Sequence, residues 1–245
     1  MTEAANSGAT EGTIAMQTPV LSETTGTVAW AVASTSGVAD RQVPENSEAI
    51  VLRTLSFPHS FDAHDLIFME GDPSTHIYRI QSGAVMLYKL LPDGRRQVVE
   101  LLVAGDMFGL TLATEHDCSA ETLVSTRVDV LPASAVDDNP QVQRAILHQT
   151  RLQMQTLHDH TVLLGRKSAM ERVASFIERL AIATDDDALH LPMTRQEIAD
   201  FLGLTIETVS RSFSELRRRG LIVCQRQDRV RVPDIDKLNA MTGAV

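Results

Sequence analysis

Cysteine is almost missing from this chain: Cys118 and Cys224 are the only two among 245 residues. Two thiols so far apart in sequence give no disulfide framework, so a reducing cytoplasm is the expected compartment. Long apolar runs are missing as well. None approaches the roughly 20 residues needed to cross a bilayer, which argues against a membrane span. The start of the chain lacks positive charge, its first Lys or Arg being Arg41. That argues against a secretory leader, which needs a basic segment before its apolar one. Positive charge is scarce overall, with 22 Lys and Arg against 32 Asp and Glu and a net charge of −10. The deficit is uneven. Between Thr205 and Arg231 seven arginines face three acids, a net +4, which leaves −14 for everything else. An acidic body with one basic end would approach a polyanion basic end first. The length leaves room for two small domains and a substantial core.

The stretch from Met193 to Gly220 reads MTRQEIADFLGLTIETVSRSFSELRRRG. Thr194 and Glu197 make a T-x-x-E capping box at the start of a first helix. Ile198, Phe201 and Leu202 give that helix one apolar face. Gly203 ends it, since glycine takes the left-handed conformation a helix end often needs. Thr205 is placed to cap a second helix, on which Ile206, Val209, Phe213 and Leu216 are expected to face the core. Glu207, Thr208, Ser210, Arg211 and Ser212 are expected on the opposite side. That outward side has the chemistry of base reading. A glutamate accepts from a cytosine amino group, and an arginine donates two bonds to a guanine. Glu207 and Arg211, four residues apart, share a helix face and can address neighbouring base pairs. The competing reading is a surface ion pair between Glu207 and Arg211 on a solvated helix.

The segment T-R-Q-E-I-A-D-F-L-G-L-T followed by I-E-T-V-S-R closely resembles the recognition region of the CRP/FNR (catabolite-activator/fumarate-nitrate-regulator) family, and the likeness runs over roughly residues 47–240. The form Glu207-x-x-Ser210-Arg211 is similar to the FNR/FixK branch. Catabolite-activator-type members usually have glycine where this chain has Ser210. The resemblance implies a TTGAT half-site, with Glu207 and Arg211 reading its G·C pair and Ser210 contacting a neighbouring thymine. Thr194, Arg195, Thr205, Thr208, Ser212, Arg217, Arg226 and Arg229 are the expected phosphate and positioning contacts.

Taken in order, residues 1–46 are rich in Ala, Ser, Thr, Glu and Gly and are expected to be a disordered extension, with Trp30 incidental. Residues 47–138 carry short apolar alternations separated by turns at Gly71, Gly83, Gly94 and Gly105, the pattern of an antiparallel β fold. The order of strands and turns, ending in Gly105-Asp106-Met107-Phe108-Gly109, resembles the β-roll of cyclic-nucleotide-binding domains. The expected class is therefore α+β, with a β-roll, a long helix at 139–167 and a winged helix-turn-helix over 168–245. On the long helix Leu147, Thr150, Met154, Leu157, Thr161, Leu164 and Ser168 recur in steps of three and four, a seam for dimerisation. A homodimer also suits the two-fold symmetry of a palindromic operator. A hinge is expected at Gly165, a loop at Asp185–Asp187, a wing from Leu221 to Val232 and a closing helix at Asp236–Met241.

Departures from the resemblance bear on cofactors. Nucleotide-binding relatives have glutamate where this chain has Leu110 and arginine where it has Cys118. Each lost charge-assisted bond is worth about 1.5–3 kcal/mol, so cyclic AMP is not the expected effector. Oxygen-sensing relatives hold an iron–sulfur cluster on three N-terminal cysteines and one in the β-roll. No cysteine precedes Cys118, Asp129 stands at the β-roll position, and two thiolates cannot replace four. A haem is a further candidate, because His116-x-Cys118, if on a strand, would put both side chains on one face. His59, His64 and His76 lie nearby, and His158 and His160 point apart on their helix. No metal ligands are assigned, and the lack of H-x-H with a spaced Glu and His in residues 48–131 argues against a cupin-like enzyme. Cys118 and Cys224 remain candidates for redox control, Cys224 with Arg226 and Arg229 close in sequence. The resulting expectation is a non-enzymatic, DNA-binding regulator that contacts RNA polymerase, in microaerobic or nitrogen-related metabolism.

Overall fold

The computed structural model describes residues 52, 54–111, 113–182, 189–226 and 228–243. The expected extension at 1–46, Trp30 and the Asp185–Asp187 loop lie outside the described residues. Eight strands come first: β1 (Phe57–Phe61), β2 (Leu66–Phe68), β3 (His76–Ser82), β4 (Ala84–Leu90), β5 (Arg96–Val103), β6 (Met107–Phe108), β7 (Ser119–Thr122) and β8 (Thr126–Pro132). They form two antiparallel sheets, ordered β1-β8-β3-β6 and β2-β7-β4-β5. The β3–β4 turn depends on Gly83, which has φ +99°; a Cβ there would come within 2.7 Å of the Ser125 carbonyl oxygen.

Strand β4 is buried on both sides, and its alternation sorts two cores. Val85 and Leu87 pack with Phe68, Ile80, Leu102, Phe108, Ala120, Val128 and Val130 inside the β-roll. Ala84 and Met86, with Val98 on β5, turn the other way and join the apolar cluster of the C-terminal helices. The sheet is thus covered by helices, as a strand with apolar residues on both faces requires.

After a short helix, α1 (Ala135–Asp138), comes α2 (Pro140–Arg166). The Asn139 side chain accepts from the amides of Gln141 and Val142 at 2.9 and 3.4 Å, and Pro140 fills the first helical position. Val142, Ala145, Gln149, Thr156, His160 and Leu163 form the buried stripe of α2. The expected hinge at Gly165 is corrected, since Gly165 is still helical and the chain breaks at Lys167, which is extended. The break falls there because Glu171 accepts from the Ser168 amide at 2.6 Å and starts a new helix, α3 (Ala169–Ile182).

The remainder is β9 (Leu189–His190), α4 (Arg195–Leu202), α5 (Ile206–Arg218), β10 (Val223–Cys224), β11 (Arg229–Arg231) and α6 (Ile235–Asn239). A small sheet ordered β10-β11-β9 is the wing. Its third strand, β9, is not anticipated by the sequence reading. The expected strand from Leu221 is also shorter, because Leu221 and Ile222 are buried core residues. Among the described residues no helix is long and apolar enough to cross a membrane.

Candidate nucleic-acid interface

The capping box forms as its spacing requires. Thr194 Oγ1 accepts from the Glu197 amide at 3.2 Å, and Glu197 Oε2 accepts from the Thr194 amide at 2.7 Å. Gly203 ends α4 at φ +61°, and Thr205 caps α5 by accepting from the Thr208 amide at 3.3 Å. Val209, Phe213 and Leu216 anchor α5 in the core. Two expectations are corrected. Ile206 is 38% exposed on the first turn of α5 rather than buried, and Ser212 is only 5% exposed, so it cannot reach a phosphate. Ser212 stands three residues after Val209 and four before Leu216, which places it on the packed side.

Glu207, Ser210 and Arg211 are exposed together on the outer side of α5, and Ser214 continues that face one turn on. Ser214 escaped the sequence reading, although the i+4 step from Ser210 marks it. The Arg211 guanidinium contacts Thr208 Oγ1 and the Glu207 carbonyl, each at 3.4 Å, and not the Glu207 carboxylate. The hydroxyl of Thr205 holds the Glu207 carboxyl below its ordinary range, with a smaller contribution from Arg211. Both side chains therefore present charged groups to solvent. Arg217 on α5, Arg226 in the wing turn and Arg229 on β11 are also exposed, as are Thr194 and Thr205. Arg195 is half-buried, its guanidinium 3.4 Å above the centre of the Phe213 ring, where it ties α4 to α5.

The helix-turn-helix is held against the β-roll. Arg96 Nε donates to Asp200 Oδ2 at 2.9 Å, and Gln97 Nε2 donates to the Phe201 carbonyl at 3.4 Å. His160 stacks on Phe201 at 4.3 Å. A cleft of about 920 Å³ runs between the β4–β5 turn at Leu91–Gln97 and the residues from Gly203 to Thr208.

Residues 58–138 match the family model of a cyclic nucleotide-binding domain, and residues 171–241 match that of a Crp-like helix-turn-helix domain. The nitrogen fixation regulation protein FixK of Bradyrhizobium diazoefficiens is 42% identical over 171 residues, 66% of this chain and 72% of its own length. The chain belongs to the CRP/FNR family, on its FixK-like branch. FixK of Rhizobium meliloti is 38% identical over 157 residues, 64% of this chain and 73% of its own. The solved structure of FixK2 from Bradyrhizobium japonicum superposes with a TM-score of 0.72 at 34% identity, covering 78% of this chain and 98% of that one. As a member of this CRP/FNR branch, the chain is a helix-turn-helix transcription regulator of the activator type and not an enzyme.

Leu110 packs against the cluster that Ile77, Met107 and Leu131 form with Val142 and Ala145 of α2. Cys118 packs against the β-roll core, and burial followed by the charge of Asp117 pushes its thiol up to about 12. A thiol so rarely ionised is a poor site for oxidation. Glu100 stands opposite Leu87 in the β4–β5 register, on the interior face, where burial and then Asp106 push its carboxyl up to about 8. Asp129 is buried on β8, accepting from Gln81 and paired in register with Arg79.

His116 is stacked on Phe68 with ring centres 3.7 Å apart. Residues 116–118 form no strand, which begins only at Ser119, so the strand spacing proposed for His116 and Cys118 does not apply. Cys224 is half-buried, pairs with Val230 in the wing and packs on the helical core. On α2, Leu147, Met154 and Leu157 are 52, 53 and 40% exposed and Thr161 is exposed beside them, while Leu164 is half-buried.

Proposed function

We propose that this chain is a homodimer that binds a TTGAT-N4-ATCAA-like palindrome and activates transcription without cyclic AMP or an iron–sulfur cluster. The observation that carries the reading is the exposed triplet Glu207, Ser210 and Arg211 on a capped, core-anchored helix. Two such helices related by two-fold symmetry enter successive major grooves, about 34 Å apart, while the wing arginines hold phosphates. The leucine and methionine seam of α2 supports pairing, since a second copy would cover an apolar stripe otherwise left in water.

Effector independence is supported by the β-roll interior. Leu110 and Cys118 stand where nucleotide-binding relatives have a glutamate and an arginine, and Glu100, opposite Leu87, adds a carboxyl to the interior face. The targets would be promoters of nitrogen fixation, as the names of the FixK relatives suggest, or of microaerobic respiration and denitrification, as the family resemblance implies, with the β-rolls facing RNA polymerase.

Sedimentation of the protein with a full palindrome and with a single half-site tests the assembly. Two chains per full site, with affinity at least 100-fold weaker on the half-site, support it. One chain bound equally well to both would overturn it.

A further inference from the structure

We propose that His64, Glu121 and Glu197 form a divalent-cation site, of the zinc class, at the junction between the β-roll and the helix-turn-helix. Sequence reading assigns no metal ligands because these three residues are scattered over the chain, one in the β1–β2 loop, one on β7 and one on α4. Folding brings their ligand atoms within 4.8 Å of one another. His64 Nδ1 lies 3.8 Å from Glu121 Oε1 and 3.5 Å from Glu197 Oε1. A tetrahedral zinc with bonds of about 2.1 Å sets neighbouring ligand atoms about 3.4 Å apart, close to both separations.

The surrounding hydrogen bonds aim the ligands. Glu197 Oε2 is occupied by the Thr194 amide at 2.7 Å and the Thr194 hydroxyl at 2.9 Å, which turns Oε1 toward the imidazole. Glu121 Oε2 is held by Arg96 at 3.4 Å, which does the same for its Oε1. Metal-binding carboxylates are characteristically oriented by such outer contacts. His64 is fixed by its own amide, which donates to the Thr122 carbonyl at 2.9 Å, and by a left-handed backbone with φ +65°. Its imidazole is half-exposed, leaving room for water as a fourth ligand.

Charge favours the same occupant. Glu121, Glu197 and Asp200 bring three negative charges to this seam against Arg96, so the cluster is −2 when His64 is neutral. A 2+ ion neutralises it. Burial raises the Glu121 carboxyl, Arg96 offsets part of this, and Glu197 raises it further. Because its ligands come from both domains, the cation would strengthen the docked arrangement by linkage. Ligation needs a neutral imidazole, so acid would release the ion.

The test uses the full chain, stripped with chelator and dialysed against Zn²⁺, with bound metal measured by mass spectrometry and thermal unfolding followed in parallel. The variants are His64→Gly, which suits the left-handed backbone, and Glu121→Gln, which keeps the side-chain shape. The wild type should bind one zinc more per chain than either variant, with that site weakened at least about 100-fold in both. Zinc should raise the unfolding temperature of the wild type and not of His64→Gly. Equal zinc in the wild type and either variant, no zinc in any of them, or equal thermal shifts would overturn the proposal, leaving His64 a salt-bridge partner only.

Discussion

Arg172 on α3 donates to the carbonyl of Leu202 at the end of α4, with Nη1 and oxygen 3.0 Å apart. The same guanidinium reaches the Leu164 carbonyl at 2.7 Å and the Lys167 carbonyl at 2.9 Å. One side chain thus closes the end of the long helix, spans the break after it and caps the first helix of the DNA-reading unit. A planar fork with several donors suits this task, and an ammonium group does not reproduce it. Arg172→Ala should lower stability by roughly 2–4 kcal/mol, and Arg172→Lys should recover only part of that. Denaturant unfolding of both variants measures the difference. An unchanged midpoint for Arg172→Ala would remove this role.

Base reading and phosphate holding should separate in titrations. Arg211→Ala is expected to cost about 1–3 kcal/mol per half-site and to relax preference at the G·C pair. Arg229→Ala should weaken all sequences alike and reduce the salt slope by about one per half-site. Ser212→Ala should change neither, because Ser212 is buried.

The proposed dimer seam gives a third expectation. Leu157→Glu places charge on an exposed position of α2, so the single chain should keep its fold. Two such charges meeting across a paired seam would drive the copies apart. Light scattering should then report a monomer with unchanged helix content, and DNA affinity should fall at least 100-fold.

Two buried carboxyls predict a pH dependence. The Glu100 carboxyl is raised from an ordinary 4.5 to about 8, and Asp106 from 3.8 to about 6, both chiefly by burial. A folded pKa above the unfolded one means that the neutral acid is the form the fold prefers. Its stabilising contribution is complete below pH 4.5 and is lost as pH rises through about 8 for Glu100. Glu100→Gln should flatten the fall in unfolding temperature between pH 6 and pH 9, measured by calorimetry. A slope identical to wild type would show that Glu100 does not cause it.

Much of this molecule was legible in the chain because its local signals agree with its packing. Thr194, Glu197 and Gly203 fix the ends of α4 by chemistry that spacing alone reveals, and both form as expected. The turn at Gly83 is equally local. Ser212 is polar by type, but its phase on the helix, with core residues three before and four after, decides its burial. Ile206 is the converse case, an apolar residue left exposed at the first turn, where the helix leaves the core. Strand β9 is two residues long, too short to show any period. The grouping of His64 with Glu121 and Glu197 depends on how two domains dock, which no spacing along one chain encodes. The interior placement of Glu100 required the β4–β5 register, including its irregularity at Leu87 and Tyr88.

The most direct measurement is fluorescence anisotropy of the purified protein, with no ligand added, on two labelled duplexes. One carries TTGAT-N4-ATCAA and the other carries TGTGA-type half-sites at matching spacing. The protein should bind the first tightly, bind the second at least about 100-fold more weakly, and lose the preference in Arg211→Ala. A folded dimer that binds neither duplex, or that prefers the second, would contradict the proposed function.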